Sequence, residues 1–151
     1  MRFVATTLAI SALTFSISCA RAFAVDERIV DPQAMAALMI KADQALPKDQ
    51  CFLYAEIVHQ MTELAGQQMS SGDVHASETL RLVQKYAEKI HMGVAEDSKK
   101  MKNAEQLMQH TSYRLNDILN AASYDDRQAL QATLKQLQQV QTELMMQVFK
   151  K

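Results

Sequence analysis

The sequence predicts an all-α protein, and two observations carry this prediction. Residues that form tight turns are scarce, with glycine only at positions 66, 72 and 93 and proline only at 32 and 47, whereas a β-rich fold needs many tight turns. Apolar residues also recur at alternating steps of three and four, which is the period of an α-helix with one buried face. We therefore expect an elongated antiparallel helical bundle.

The first 24 residues have the pattern of an export signal. The chain starts with the basic Arg2, continues with the uncharged residues 3–17, and reaches a small-x-small cleavage site at residues 22–24. The uncharged stretch is shorter than the roughly 20 residues that a membrane-spanning helix needs. We therefore expect residues 1–24 to be removed. Residues 25–151 would then form a single helical domain without an integral membrane segment, in the periplasm or secreted.

The charge of the mature chain disfavours nucleic acid as a partner. Removal of Arg2 and Arg21 with the signal leaves 14 Lys+Arg against 17 Asp+Glu, a net charge of −3. The basic residues are also dispersed along the chain, which is typical of solvated helix faces.

The first helix is expected at residues 32–46. Asp31 is a suitable N-cap, and Pro32 suits the first helical position, where its missing N–H costs nothing. Pro47 is expected to end this helix.

The second helix is expected at residues 48–70. Its apolar stripe consists of Cys51, Tyr54, Ile57, Val58, Met61, Leu64, Ala65 and Met69, and Glu56, Gln60, Glu63 and Gln67 lie on the opposite side. Residues 70–73 then form a turn in which Gly72 can adopt a positive φ. The second and third helices should therefore form an antiparallel hairpin.

The third helix is expected to be the long central helix, at residues 73–122. From Ala76 onward, one face of it has the spacing of a heptad seam. The seam consists of Ala76, Leu80, Val83, Ala87, Ile90, Val94, Asp97, Met101, Ala104, Met108, Thr111, Leu115, Ile118 and Ala122. Its register continues through Gly93 without a slip, which favours one continuous helix whose seam, from Ala76 to Ala122, covers about 47 residues and about 70 Å. The alternative ends a helix at Gly93 and begins another near Asp97 or Ser98, giving four antiparallel helices of ordinary length.

The last helix is expected at residues 126–149, after a corner at residues 121–125. Its apolar stripe is Leu130, Leu134, Leu137, Val140, Leu144, Val148 and Phe149. The helices at 48–70 and 126–149 would then flank the two halves of the long central helix.

Cysteine usage indicates one candidate metal site. Cys51 is the only cysteine of the mature chain, and in an antiparallel hairpin it falls opposite His91 and Met92. Thiolate, imidazole and thioether are ligands that suit copper(I), and the first turn of a helix favours thiolate. Cys51, His91 and Met92 are therefore the predicted ligands of a copper site, and the alternative is an inert cysteine in the core.

An unpaired cysteine in an exported protein can also link two copies. A Cys51–Cys51 disulfide would produce a homodimer. Gel mobility with and without reductant tests this hypothesis, and an unchanged mobility of protein purified under oxidising conditions would contradict it.

The hexapeptide Y-A-E-x-x-H occurs twice, at residues 54–59 and 86–91. Glu-x-x-His places a carboxylate and an imidazole on one helix face, as in the half-site of di-iron bundles. In a hairpin that turns near residue 72, the two motifs are offset along the axis by roughly 7 to 12 Å. One pair of metal ions cannot bridge them, so we interpret the motifs as surface or flanking residues and expect no cofactor.

Motifs of known enzyme classes are missing from the sequence. It contains no C-x-x-C-H, no H-E-x-x-H, no G-x-S-x-G and no glycine-rich phosphate loop.

The many methionines of the sequence are best explained by core packing, and the alternative is a copper-handling set with His91 and His110. We therefore expect a non-enzymatic exported protein that binds another protein or itself along its helical faces, with a small copper-handling protein as the alternative.

Overall fold

A computed structural model describes residues 31–92 and 98–149, which form five α-helices and no strand. This confirms the predicted all-α bundle. The helices are α1 (Pro32–Gln44), α2 (Pro47–Ser71), α3 (Ala76–Met92), α4 (Ser98–Ala121) and α5 (Tyr124–Phe149). Within these ranges, no helix combines the length and the apolar composition that crossing a bilayer requires. The predicted export signal at residues 1–24 lies outside the described residues.

Local chemistry explains where the first two helices begin and end. Asp31 caps α1 by accepting a hydrogen bond from the backbone N–H two residues later, at 3.0 Å. Pro47 occupies the first turn of α2, where a missing N–H costs nothing. Gly72 caps the other end of α2 with a left-handed φ of 71°. The N–H of Asp73 then closes this end by donating to the carbonyl of Gln68 at 2.8 Å.

The directions of the helices follow from their connections and contacts. α2 and α3 are antiparallel because only residues 72–75 connect them, and α4 and α5 are antiparallel across residues 122–123. α2 and α4, by contrast, are parallel, because positions that advance along α2 meet positions that advance along α4. The contacts are Asp49 with Lys100, His59 with Thr111, Glu63 with Arg114, and Gly66 with Ile118.

The prediction of one continuous central helix at residues 73–122 is therefore wrong. Because α3 is antiparallel to α2 whereas α4 is parallel to it, the chain reverses direction between Met92 and Ser98. Residues 93–97 lie outside the described residues. The alternative of separate helices of ordinary length agrees with this reversal. The bounds of α1, α2 and α5 agree with their predicted ranges to within two residues.

The four longer helices form a square bundle. α2 packs against α3 and α4, and α5 packs against the same two helices. In the described ranges α3 and α4 do not pack against each other, so they occupy one diagonal while α2 and α5 occupy the other. α1 lies outside the square and packs against α2.

The predicted heptad seam forms much of the core. Its described members in α3 and α4 are all buried, from Ala76 through Ile118, while Ala122 is half-buried. The two seam positions at Val94 and Asp97 lie outside the described residues. α5 contributes Leu130, Leu137, Val140 and Leu144 to the same core. The three-four spacing therefore identified the buried faces of these helices correctly.

α2 is enclosed by neighbours on three sides. From Asp49 to Met69 it contains no fully exposed residue. The polar side chains that were expected to lie opposite its apolar stripe are half-buried, namely Glu56, Gln60, Glu63 and Gln67. α1 and α4 pack on this side of α2, which explains why these polar side chains are half-buried and not fully exposed.

Candidate functional site

A groove of about 720 Å³ lies between α1 and α2, beside the start of α4. Residues spaced three or four apart on each helix face it, so one stripe of α1 and one stripe of α2 form its walls. The lining residues are Ala37, Ile40, Lys41, Gln44, Ala45, Asp49, Phe52, Leu53, Glu56 and Lys100.

The groove is apolar inside and charged around its border. Ile40 is 58 % exposed, and Phe52, which also lines the groove, is half-buried. Lys100 of α4 forms an ion pair with Asp49 of α2, and Lys41 and Glu56 add one charge of each sign. An apolar surface with such a border can accept the apolar side of another molecule.

The tyrosines of the two Y-A-E-x-x-H motifs meet in the core. The ring centroids of Tyr54 and Tyr86 are 6.0 Å apart. Lys89 Nζ lies 5.1 Å from the centroid of the first ring and 4.9 Å from that of the second, which is a cation–π arrangement. The same Nζ donates to Asp43 Oδ1 at 2.8 Å, and the Tyr54 hydroxyl donates to that oxygen at 3.2 Å. The cluster therefore attaches α1 to α2 and α3.

The pairing of Asp43 with Lys89 also changes the acidities of the cluster. The hydrogen bond from Lys89 lowers the pKa of the Asp43 carboxyl, and the same bond raises the pKa of the Lys89 ammonium. Burial raises the pKa of Tyr54. All three groups therefore keep their ordinary charges, so the cluster binds helices together and offers no base or nucleophile. Of the motif glutamates, Glu56 lines the groove and Glu88 is exposed.

A second polar cluster lies between α2 and α4. His59 Nδ1 lies 3.1 Å from Thr111 Oγ1, and the rings of His59 and His110 meet edge to face with centroids 5.4 Å apart. The single Nε–H of Arg114 donates to both carboxylate oxygens of Glu63, with Nε···O distances of 2.9 and 3.1 Å. Burial lowers the pKa of His59, which Glu63 partly offsets.

His59 and Thr111 do not act as a general base and the nucleophile that it activates. Thr111 is fully buried, so no substrate reaches its hydroxyl. That hydroxyl also donates to the carbonyl of Leu107 at 2.7 Å, so its proton is held within α4. A nucleophile needs both access and a base that removes its proton.

Only one of the three predicted copper ligands is described with its side chain. Cys51 is 1 % exposed, and burial raises the pKa of its thiol to about 11. The side chains of His91 and Met92 lie outside the described residues. The environment of Cys51 is that of the inert core cysteine that the sequence left open, and a disulfide to a second copy would require the core to open. The three-residue copper site stays a prediction.

The methionines divide between the core and the surface. Met35, Met61, Met101 and Met108 are buried, whereas Met145 and Met146 are exposed near the end of α5. His110, which the alternative copper set included, is exposed. No group of three or more histidine, cysteine or acidic residues in the described ranges is placed to hold a metal ion.

Sequence reasoning missed the groove and the His59–His110 contact. The apolar stripe that three-four spacing predicts for the first helix consists of Met35, Leu38, Met39, Ala42 and Leu46. Ile40 falls outside this stripe, which is the sequence signal for an exposed apolar residue. The contact between the two histidines depends on the parallel packing of α2 and α4, which the expected long helix did not contain.

Comparison of the chain with protein families, with characterised proteins and with solved structures found no match.

Proposed function

We propose that this protein is a non-enzymatic exported binding protein that accepts an amphipathic helix of another protein in the groove between α1 and α2. The observation that carries the proposal is the exposure of Ile40, 58 % of whose surface faces solvent in a groove that Phe52 and Leu53 also line. Amphipathic helices bind in this way by placing one apolar face in a hydrophobic groove.

The dimensions of the groove support a short helical partner. α1 forms one wall and contains 13 residues, which corresponds to about 20 Å of helix. A partner helix of similar length would present apolar residues at three-four spacing to Ile40 and Phe52. Lys41 and Glu56 at the border favour a partner that carries both positive and negative side chains.

Retention of partners from the native compartment tests this function. We expect the wild-type chain to retain a protein partner and the Ile40→Asp variant to lose it, because a carboxylate in the groove would be desolvated on binding. Val74→Asp is the matched control: Val74 is 86 % exposed and lies in the turn between α2 and α3. That variant should retain the partner.

Two results would contradict the proposal. A wild-type chain that retains nothing has no partner in that compartment, and equal retention by both variants would place the binding surface elsewhere. Light scattering across a concentration series distinguishes self-association from binding to another protein. A second copy in the groove would give a dimer that Ile40→Asp abolishes.

A further inference from the structure

The only described histidines in contact with each other lie on the surface between α2 and α4. His59 is half-buried and His110 is exposed, and their ring centroids are 5.4 Å apart. We propose that His59 and His110 together bind one divalent transition-metal ion, with Cu²⁺ bound more tightly than Zn²⁺. Imidazole nitrogen suits both ions, and affinities of nitrogen sites generally peak at Cu²⁺.

Hydrogen bonding leaves one nitrogen of His59 available to a metal. The Thr111 hydroxyl has a single proton, which it donates to the Leu107 carbonyl at 2.7 Å. Its oxygen therefore accepts the contact at 3.1 Å, and His59 Nδ1 is the donor. The neutral ring then carries its lone pair on Nε2. A metal-binding histidine commonly donates its other N–H to a fixed acceptor in this way.

The spacing of the rings agrees with a shared ion. Metal–nitrogen bonds of about 2.0 to 2.1 Å place the centroids of two imidazoles on one ion about 5 Å apart. The observed 5.4 Å is close to this distance, and the exposed His110 ring is free of core packing that would prevent a small adjustment.

The neighbouring charges permit a cation at this position. Arg114 on α4 is a positive side chain close enough to act on His59, one turn after His110, and its guanidinium is neutralised by the half-buried carboxylate of Glu63. Because Glu63 is occupied in this pair, the described residues supply two ligands, and water would complete the coordination. This differs from the predicted copper site, which used Cys51, His91 and Met92.

Copper titration of the full chain without an affinity tag tests the site. Cu²⁺ alone is the probe, and isothermal titration gives the affinity while electron paramagnetic resonance reports nitrogen ligands. We expect His59→Asn and His110→Asn each to weaken binding at least about tenfold. Thr111→Val should weaken it by about tenfold, because the orientation of His59 is lost while both ligands remain.

His75→Asn is the matched control, because His75 is an exposed histidine at the turn between α2 and α3. Its affinity for Cu²⁺ should equal that of the wild type. Because His110 is exposed, replacing it should leave the circular dichroism spectrum unchanged. The proposal is overturned if the wild type binds no Cu²⁺, or if His110→Asn binds as tightly as the wild type. Loss of binding in His91→Asn alone would also overturn it, in favour of the site with Cys51.

Discussion

Buried polar side chains in this bundle are mostly hydroxyls that bond to their own helices. Thr62, Thr111, Ser112 and Thr133 each donate to the carbonyl four residues earlier, at 2.7 to 2.9 Å. A buried hydroxyl with such a partner avoids most of its desolvation cost. His59 differs from them, because its ring gains a partner only from another helix.

His59 should make the stability of the protein depend on pH. Burial lowers the pKa of His59 in the folded chain below its ordinary value of 6.5. The unfolded chain therefore binds more protons in the window below about pH 7, and the free energy of unfolding falls as the pH decreases there. One histidine contributes a slope of at most about 1.4 kcal/mol per pH unit. Urea denaturation at a series of pH values between 5 and 8 measures it.

His59→Asn should flatten this dependence, because the amide keeps a donor for Thr111 but does not titrate. Among the described residues, Glu63 raises the pKa of His59, while His110 and Arg114 lower it. His75→Asn, at an exposed position, should leave the pH dependence as it is in the wild type. An unchanged slope in His59→Asn would show that other groups cause it.

The contact between α2 and α4 is close at Gly66, where an added Cβ would lie 2.7 Å from Ile118 Cδ1. Replacing an interior helical glycine by alanine normally gains about 1 kcal/mol, but here the Ile118 side chain occupies the space. We expect the effect of Gly66→Ala on the free energy of unfolding to be more stabilising by about 1 kcal/mol when Ile118 is replaced by valine, which lacks Cδ1. A double-mutant cycle measured by urea denaturation gives this difference.

Gly72→Ala is the control for this cycle. Gly72 has a φ of 71° and nothing near its Cβ position, so alanine there should be destabilising by a similar amount in both backgrounds. If Gly66→Ala costs the same with isoleucine and with valine at position 118, the two helices do not meet as described.

Because α2 and α4 pack in parallel, Glu63 and Arg114 form an ion pair, and exchanging the two charges tests this packing. Both side chains are largely shielded, with 25 % and 32 % of their surfaces exposed. Reversing either charge alone should destabilise the protein, because it places like charges together. Reversing both, as Glu63→Arg with Arg114→Glu, should recover about 1 kcal/mol relative to the sum of the single changes.

A second reversal provides the control for this exchange. Lys135 is exposed on α5, which within the described helices does not pack against α2, so Glu63→Arg combined with Lys135→Glu should recover nothing. Thermal or urea unfolding of the variants measures each effect. Additive effects in the Glu63 and Arg114 pair would argue against parallel packing of α2 and α4.

The sequence identified the buried faces of the helices but not the direction of α4. Every described seam residue from Ala76 to Ile118 is buried, because three-four spacing follows from burying one side of any helix. The same register continues through Gly93 because α3 and α4 each present this face to α2 and α5. Periodicity does not distinguish one long helix from two that reverse. The site was missed for the same reason, since His59 meets His110 only when α4 is parallel to α2.

The size of the whole molecule distinguishes the two arrangements in solution. A compact domain of 127 residues has a radius of gyration of about 14 Å. A central helix of about 70 Å would by itself give about 20 Å. We expect small-angle X-ray scattering of residues 25–151 to give a value of about 14 to 16 Å, because the longest helices in the described part of the chain are the 25 residues of α2 and the 26 of α5.

The dilute protein is the control for this measurement, since association through the groove would increase the apparent radius at higher concentration. A radius of about 20 Å or more that persists on dilution would contradict the square bundle.

The enclosure of α2 by its neighbours determines which amino-acid substitutions the protein can tolerate. Since no residue from Asp49 to Met69 is fully exposed, every position there touches a neighbour, whereas α3, α4 and α5 each keep a solvent-facing side. A library of all single codon replacements, selected for survival of folded protein, should therefore show a continuous block of intolerance across this segment. Along the other three helices, tolerated and rejected replacements should alternate with the helical repeat.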